Sequence, residues 1–273
     1  MSRSLKSYEQ RPIVREDRRR PLSPRALVTP PTDLRFLLLQ VRNPDDPMRE
    51  HEICCFERCF GLTRGQVAVF DLLGGAPSPA RLDSVDVVLL GGSGDYSVAR
   101  GGPWLPAALE AMVGLYETSK PTFASCWGFQ AMARAMGGEV ITDHARAEVG
   151  VTWMHLTPAG MDDPVFGPLS MSFQALAGHE DVVTRLPSDA VCLVSSELVE
   201  NQAFCFPGKP IYCTQFHPEL TRHDMVLRLE AYPRYVEHMT GTSIEDFFNH
   251  LRESPELTPL LPRFVELVQS GQL

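Results

Sequence analysis

The stretch Lys120–Gly138, KPTFASCWGFQAMARAMGG, decides how the rest of the chain is read. Its first part, PTFAS, is a short apolar run that reads as a buried strand. Its second part sets Phe129, Met132, Ala133 and Met136 at i, i+3, i+4 and i+7, the spacing of one helix face. Gly137 and Gly138 end that helix. Cys126 stands at the junction. A sharp strand-to-helix turn lifts such a side chain over the sheet edge. There it sits at the carboxyl end of a strand and at a helix N-terminus, where backbone N–H groups favour a thiolate. The turn is crowded and needs small neighbours, here Ala124, Ser125 and Gly128. Alone, the pattern leaves two readings open: a nucleophile, and a buried structural cysteine.

Upstream the same punctuation repeats. RFLLLQV (35–41) reads as a buried strand, and Ile53, Cys55, Phe56, Cys59 and Phe60 mark one side of a helix. QVAVFDLL and VDVVLL follow as strands and LPAALEAMVGLYETSK as a helix. This alternation predicts an α/β fold with a mostly parallel sheet flanked by helices. Between Val149 and Phe216 short strand-like runs dominate (VGVTWMHL, MSFQALA, AVCLVSS, QAFCF, PIYCTQF), an added strand section, and residues 221–270 read as helical. The expected organisation is a basic tail over 1–33, one domain over 34–220, and a helical extension over 221–273 packed on it.

The 273 residues carry a formal net charge of -9, which argues against nucleic acid as a partner because such partners favour concentrated basic patches. The tail is the exception. Through Thr32 it has eight Lys/Arg against three acids, leaving -14 for the remainder. It reads either as a disordered segment or as an arm lying on the acidic body or on a second subunit. It has no apolar core of a secretory signal, and no apolar run suits a membrane span. Seven cysteines without a CxxC pair suit buried thiols in a reducing, cytoplasmic setting. Cys55 and Cys59 lie one turn apart, but no His or second Cys pair completes a zinc set, so no metal is expected.

Two further segments carry chemistry. In CTQFHPEL, His217 and Glu219 flank Pro218, which favours an extended backbone at His217, so both side chains can point the same way. A carboxylate beside an imidazole fixes its tautomer and stabilises the imidazolium. A surface His-Pro-Glu turn is the plainer reading. In VDVVLLGGSGDYSV, the glycines after a buried strand let main-chain N–H groups turn toward a ligand. The spacing does not fit a phosphate loop, and an oxyanion hole is the other reading.

Taken together, LLGGSGDYSV, SCWGFQAMARAMGG, LPSDAVCLVSSELVENQAFCF and YCTQFHPEL resemble the class I glutamine amidotransferases, the triad-type glutaminases. The likeness spans about Leu34 to Leu220 and is nearest to stand-alone domains similar to the glutaminase half of GMP synthase. It implies a flavodoxin-like open sheet with added antiparallel strands, no cofactor, and a triad of Cys126 as nucleophile, His217 as base and acid, and Glu219 as orienter. It matches Gly92 and Trp127 to the oxyanion-hole amides, Gln130 to a substrate contact, and the segment around Gly150 and Val151 to the part that binds the substrate's amino-acid end. His179 matches a position often held by His and reads as structural or rim.

The chain departs from the usual Gly-x-Cys-x-Gly at Ala124, and Trp127 and Phe129 are bulky. These changes question the substrate more than the triad. The implied reaction is hydrolysis of glutamine, or of another γ-glutamyl compound, through a thioester. No synthase domain is visible after Leu220, so a separate synthase subunit is one expected partner, and a homodimer is compatible. The alternatives are a γ-glutamyl peptide hydrolase without a synthase, and a non-catalytic binding or regulatory protein that kept the fold.

Overall fold

The computed structural model describes residues 34–232, 247–248 and 251–273. The reading of residues 1–33 therefore lies outside the described residues, as do residues 233–246 and 249–250 of the stretch 221–270 read as helical.

Nine strands form the main sheet, in the order β2-β1-β3-β4-β11-β10-β9-β6-β7. Its first part is parallel: β1 (Phe36–Gln40), β2 (Val67–Asp71), β3 (Val87–Leu90), β4 (Thr122–Ser125) and β11 (Ile211–Thr214). The added section is antiparallel: β6 (Glu148–Leu156), β7 (Ser172–His179), β9 (Val191–Ser196) and β10 (Ala203–Cys205). The chain thus has the expected open, mostly parallel sheet flanked by helices, with an antiparallel extension.

Every residue of β1 is buried, and alternate side chains serve opposite faces. Phe36 and Leu38 join one core with Phe56 and Phe60 of α1 (Met48–Phe60) and with Phe264 of α7 (Leu260–Gln269). Leu37 and Leu39 join the other with Met112 of α3 (Leu105–Glu117) and Phe129 and Met132 of α4 (Trp127–Ala135). The C-terminal helix α7 is therefore part of the main core: Phe264 packs edge-on against Phe123 at 5.5 Å and Tyr212 at 5.7 Å.

Four elements leave no signal in the sequence. The strands β5 (Glu139–Thr142) and β8 (Asp181–Arg185) pair as a small separate sheet, and α2 (Pro79–Asp83) and α5 (Pro158–Asp162) are single-turn helices capped by Ser78 and Thr157. Each is too short for a periodicity to show. Helix α6 (Arg222–Ala231) opens on a capping box between Thr221 and Asp224. Among the described residues no helix is long and apolar enough to cross a membrane.

Candidate active site

Strand order creates the site. β3, β4 and β11 are neighbours in the parallel part of the sheet, so the loops leaving their carboxyl ends meet above one edge. These loops carry Gly92, Cys126 and His217, which are far apart in sequence.

Cys126 forms the turn between β4 and α4 with φ 51° and ψ -101°. A non-glycine residue in that region costs on the order of 1–3 kcal/mol and persists only when its surroundings impose it. They do so here. Cys126 N–H donates to the Thr214 carbonyl (2.7 Å), Gly128 N–H to Gly91 (3.2 Å), and the Ser125 hydroxyl to Leu90 (3.2 Å). A Cβ at Gly128 would stand 2.5 Å from Leu90 Cβ and 3.1 Å from Ala124 Cβ, which explains the small residues on both sides of the cysteine.

His217 follows β11, and its N–H donates to the Leu176 carbonyl on β7. Its Nδ1 lies 2.6 Å from Glu219 Oε1, with both side chains buried. With Nδ1 engaged there, the other ring nitrogen is left for the Cys126 side chain, with which His217 interacts. Burial alone would lower the His217 pKa, but the charges of Glu219 and Cys126 outweigh it and raise the group to about 9. Burial would likewise raise Glu219, and His217 outweighs that to hold it below its ordinary value.

Two residues that sequence reasoning missed complete the electrostatics. Arg228 on α6 is buried between Glu219 and Glu52, 3.8 Å from each. Glu52 on α1 receives Arg42 (3.2 Å) and Gln40 (3.0 Å). Neither leaves a sequence signal, because a charge on an amphipathic helix reads as solvated and only the structure shows Glu52 and Arg228 buried.

Glu52 also bears on the expected oxyanion donors. The Gly92 N–H already donates to Glu52 Oε1 at 3.1 Å, while Arg42 holds the Gly92 carbonyl at 2.9 Å. Trp127, as the first residue of α4, has no intrahelical acceptor for its N–H. The residue is 3% exposed and its ring packs tilted against Trp104, centroids 5.8 Å apart, so it forms part of the cleft wall and of the core behind it.

A small cleft opens beside the sulfur. It is lined by Ser93, Tyr96, Cys126, Trp127, Gln130 and the run Gly178–Asp181, among others. Cys126 Sγ lies 3.7 Å from the Gly178 carbonyl oxygen. Gln130 donates to the Asp181 carbonyl and to Gln215 Oε1, both at 3.2 Å. Gly150 and Val151 are not among the residues that line this cleft. A Cβ on Gly150 would meet the Phe247 ring at 2.7 Å, and Val151 packs against the cluster of Leu176, Leu220 and Met225. The neighbouring strand's end, Gly178–His179, forms the wall instead, because β6 and β7 run antiparallel with Glu148 opposite His179. A larger groove of about 510 Å³ lies at the other end of β11, lined by Cys205, Tyr212 and Leu273 among others, away from this chemistry.

Among the described residues, His51, Cys55 and Asp224 bring three ligating atoms within 4.8 Å of one another. Asp224 is already engaged by Arg58 and Thr221 as a helix cap, and burial pushes the Cys55 thiol far up. The sulfur lies almost equally far from both ring nitrogens, 3.8 and 3.7 Å, rather than along one lone pair. These residues fit a cap better than a metal. All seven cysteines are unpaired; Cys54 is exposed.

Residues 76–228 match the family model described as "Glutamine amidotransferase class-I". The chain is 32% identical over 120 residues to a subunit of the glutamine-hydrolyzing GMP synthase of Methanothermobacter thermautotrophicus, covering 44% of this chain and 62% of that protein. It is 26% identical over 216 residues to the glutamine-hydrolyzing GMP synthase of Citrobacter koseri, covering 76% of this chain and 38% of that protein. The match thus spans less than two thirds of the length of these relatives. A glutamine amidotransferase from Thermotoga maritima superposes with a TM-score of 0.68 at 21% identity, covering 86% of this chain and 97% of that one.

Proposed function

Because the chain belongs to the class I glutamine amidotransferase family, we propose that it is a cysteine-dependent amidohydrolase acting on the γ-amide of glutamine. The observation that carries this reading is the 2.6 Å His217–Glu219 contact beside Cys126 at its strained elbow. In the proposed reaction the Cys126 thiolate attacks the amide carbon and the carbonyl oxygen becomes an oxyanion. His217 gives its proton to the leaving nitrogen, the C–N bond breaks and ammonia departs, leaving a thioester. Water then attacks, His217 takes its proton, and the C–S bond breaks to release glutamate. Glu219 holds the imidazole and stabilises its charged form, with Arg228 set against the same carboxylate.

The Trp127 N–H is one proposed oxyanion donor, and Gly92 joins it when its bond to Glu52 opens. Gln130 braces the cleft wall through the Asp181 carbonyl rather than by a free amide. Residues 34–220 form the proposed catalytic domain, and residues 221–273 a helical extension of it that supplies Arg228 and Phe264. The name of one relative, a subunit of a glutamine-hydrolyzing GMP synthase, supports a separate synthase partner that takes up the ammonia.

The test is release of ammonia and glutamate by the purified chain, with glutamine and γ-glutamyl dipeptides compared. Cys126→Ala is expected to lower glutamine turnover by at least about 10³-fold. Wild-type turnover retained in Cys126→Ala removes this reading. Turnover of dipeptides but not glutamine moves it to a γ-glutamyl hydrolase.

A further inference from the structure

Glu148 and His179 make a second buried imidazole–carboxylate contact, 3.1 Å from Nε2 to Oε2, that the proposed reaction does not use. They are 5% and 3% exposed and face each other across the β6–β7 pair. The hydrogen bonds around them determine where the protons are. The Ser196 oxygen receives the Val199 N–H (3.1 Å) and Gln202 Nε2 (3.2 Å), and for its own proton Glu148 Oε1 at 2.7 Å is a nearer acceptor than the Val199 carbonyl oxygen at 3.4 Å. Gln202 Nε2 also donates to Glu148 Oε2. Donors therefore reach both oxygens, the arrangement that suits a carboxylate. On the far side of the ring, His179 Nδ1 lies 3.1 Å from the Asp181 carbonyl oxygen, which can only accept. Both ring nitrogens therefore face acceptors, and two such bonds need two ring protons.

The same pair sits behind the cleft. Gly178, the residue before His179, places its carbonyl against Cys126 Sγ. Asp181, two residues after, receives Gln130 on its carbonyl and Ser97 Oγ (2.6 Å), Ala99 N–H (3.1 Å) and Thr142 Oγ1 (2.6 Å) on its carboxylate. Glu180 turns outward to Arg100 at the rim. The ring is thus the buried anchor of the main chain from Gly178 to Asp181.

We propose that Glu148 and a doubly protonated His179 form a positioning pair that fixes the Gly178–Asp181 wall opposite Cys126, so that the amino-acid end of the substrate is held at a set distance from the sulfur. The substrate half of this inference rests on the glutaminase reading; the ion pair does not. Because both ring nitrogens are engaged, His179 moves no proton in the reaction. Its substitution displaces the wall while leaving Cys126, His217 and Glu219 in place.

The test has one arm that needs no substrate and one that does. Nitrogen-15 spectra of histidine-labelled wild-type protein, with His179 assigned by comparison with His179→Gln, are expected to show both ring nitrogens protonated at neutral pH. A bare ring nitrogen overturns the ion pair. In the second arm, Cys126 is labelled by a chloroketone analogue of glutamine and by iodoacetamide. In Glu148→Gln and His179→Gln the chloroketone rate is expected to fall roughly 10- to 100-fold, while iodoacetamide labelling stays within about twofold of wild type. Unchanged chloroketone labelling, or an equal loss with both reagents, overturns the positioning role. If wild-type Cys126 takes iodoacetamide but not the chloroketone, the glutamine reading fails and the nitrogen spectrum alone decides the pair.

Discussion

Glu52 on α1 accepts the main-chain N–H of Gly92 at 3.1 Å, so the glycine expected to serve an oxyanion is already bonded to a buried carboxylate. The acid is fixed in turn by Arg42, which also grips the Gly92 carbonyl, so both ends of this residue's polar backbone are clamped. A negative charge there opposes the charge that develops on a substrate oxygen.

Glu52→Gln therefore separates stability from turnover. Removing the charge leaves Arg42 with Asp46 as its remaining close carboxylate, and loss of a partner from a buried pair costs about 3 kcal/mol or more. Thermal unfolding is expected to show that loss. Glutamine turnover per folded molecule is expected to rise roughly tenfold as the negative charge opposing the oxyanion is removed and the Gly92 N–H is held less tightly. A lower turnover in the folded variant shows instead that Glu52 holds Gly92 in its working position.

Glu219→Gln keeps the shape of the side chain but gives His217 Nδ1 a neutral partner. Under the proposed mechanism the imidazolium loses its stabilising charge and its preferred tautomer. The expected fall in kcat for glutamine is about 10²- to 10⁴-fold. Steady-state assays check it, with circular dichroism confirming the fold.

The raised His217 pKa of about 9 ties stability to pH. The folded state holds this proton more tightly than the unfolded chain does. Its contribution is therefore complete below the ordinary value of 6.5 and is lost as pH rises through about 9. Glu219, held below its ordinary 4.5, contributes above that value and loses its effect as pH falls. Melting temperatures followed from about pH 6 to about pH 10 are expected to decline in wild type and to decline less in His217→Gln. Parallel declines in the two proteins rule out His217 as the source.

Phe264→Ala tests whether the C-terminal segment belongs to the domain. The ring is fully buried against Phe123 and Tyr212, and such truncations cost about 3–5 kcal/mol. Urea unfolding is expected to show one cooperative transition shifted to lower denaturant. An unshifted main transition means that α7 is an appendage.

The readable parts were those in which a few consecutive residues carry the signal. The strand–cysteine–helix turn, its small neighbours and the glycines after β3 are dictated by steric rules that act over four or five positions. So are the alternations that define β1 and α4. β5 and β8 were missed because strands of four and five residues leave no period to count, and β8 begins almost where β7 ends.

By itself, the sequence determined that Cys126 sits at an elbow, that His217 and Glu219 point together, and that an α/β sheet supports them, because each depends on local backbone geometry. Only the tertiary structure decided that β3, β4 and β11 are neighbours, which joins the three loops. It alone sent Glu52 to Gly92, Arg228 to Glu219, and the Trp127 ring into the core. It also set the end of the adjoining strand, Gly178–His179, along the cleft beside Cys126. Most of these pairings join residues far apart in the chain, and what sets them is the burial of apolar faces that brings whole elements together, not any preference written in the segments themselves.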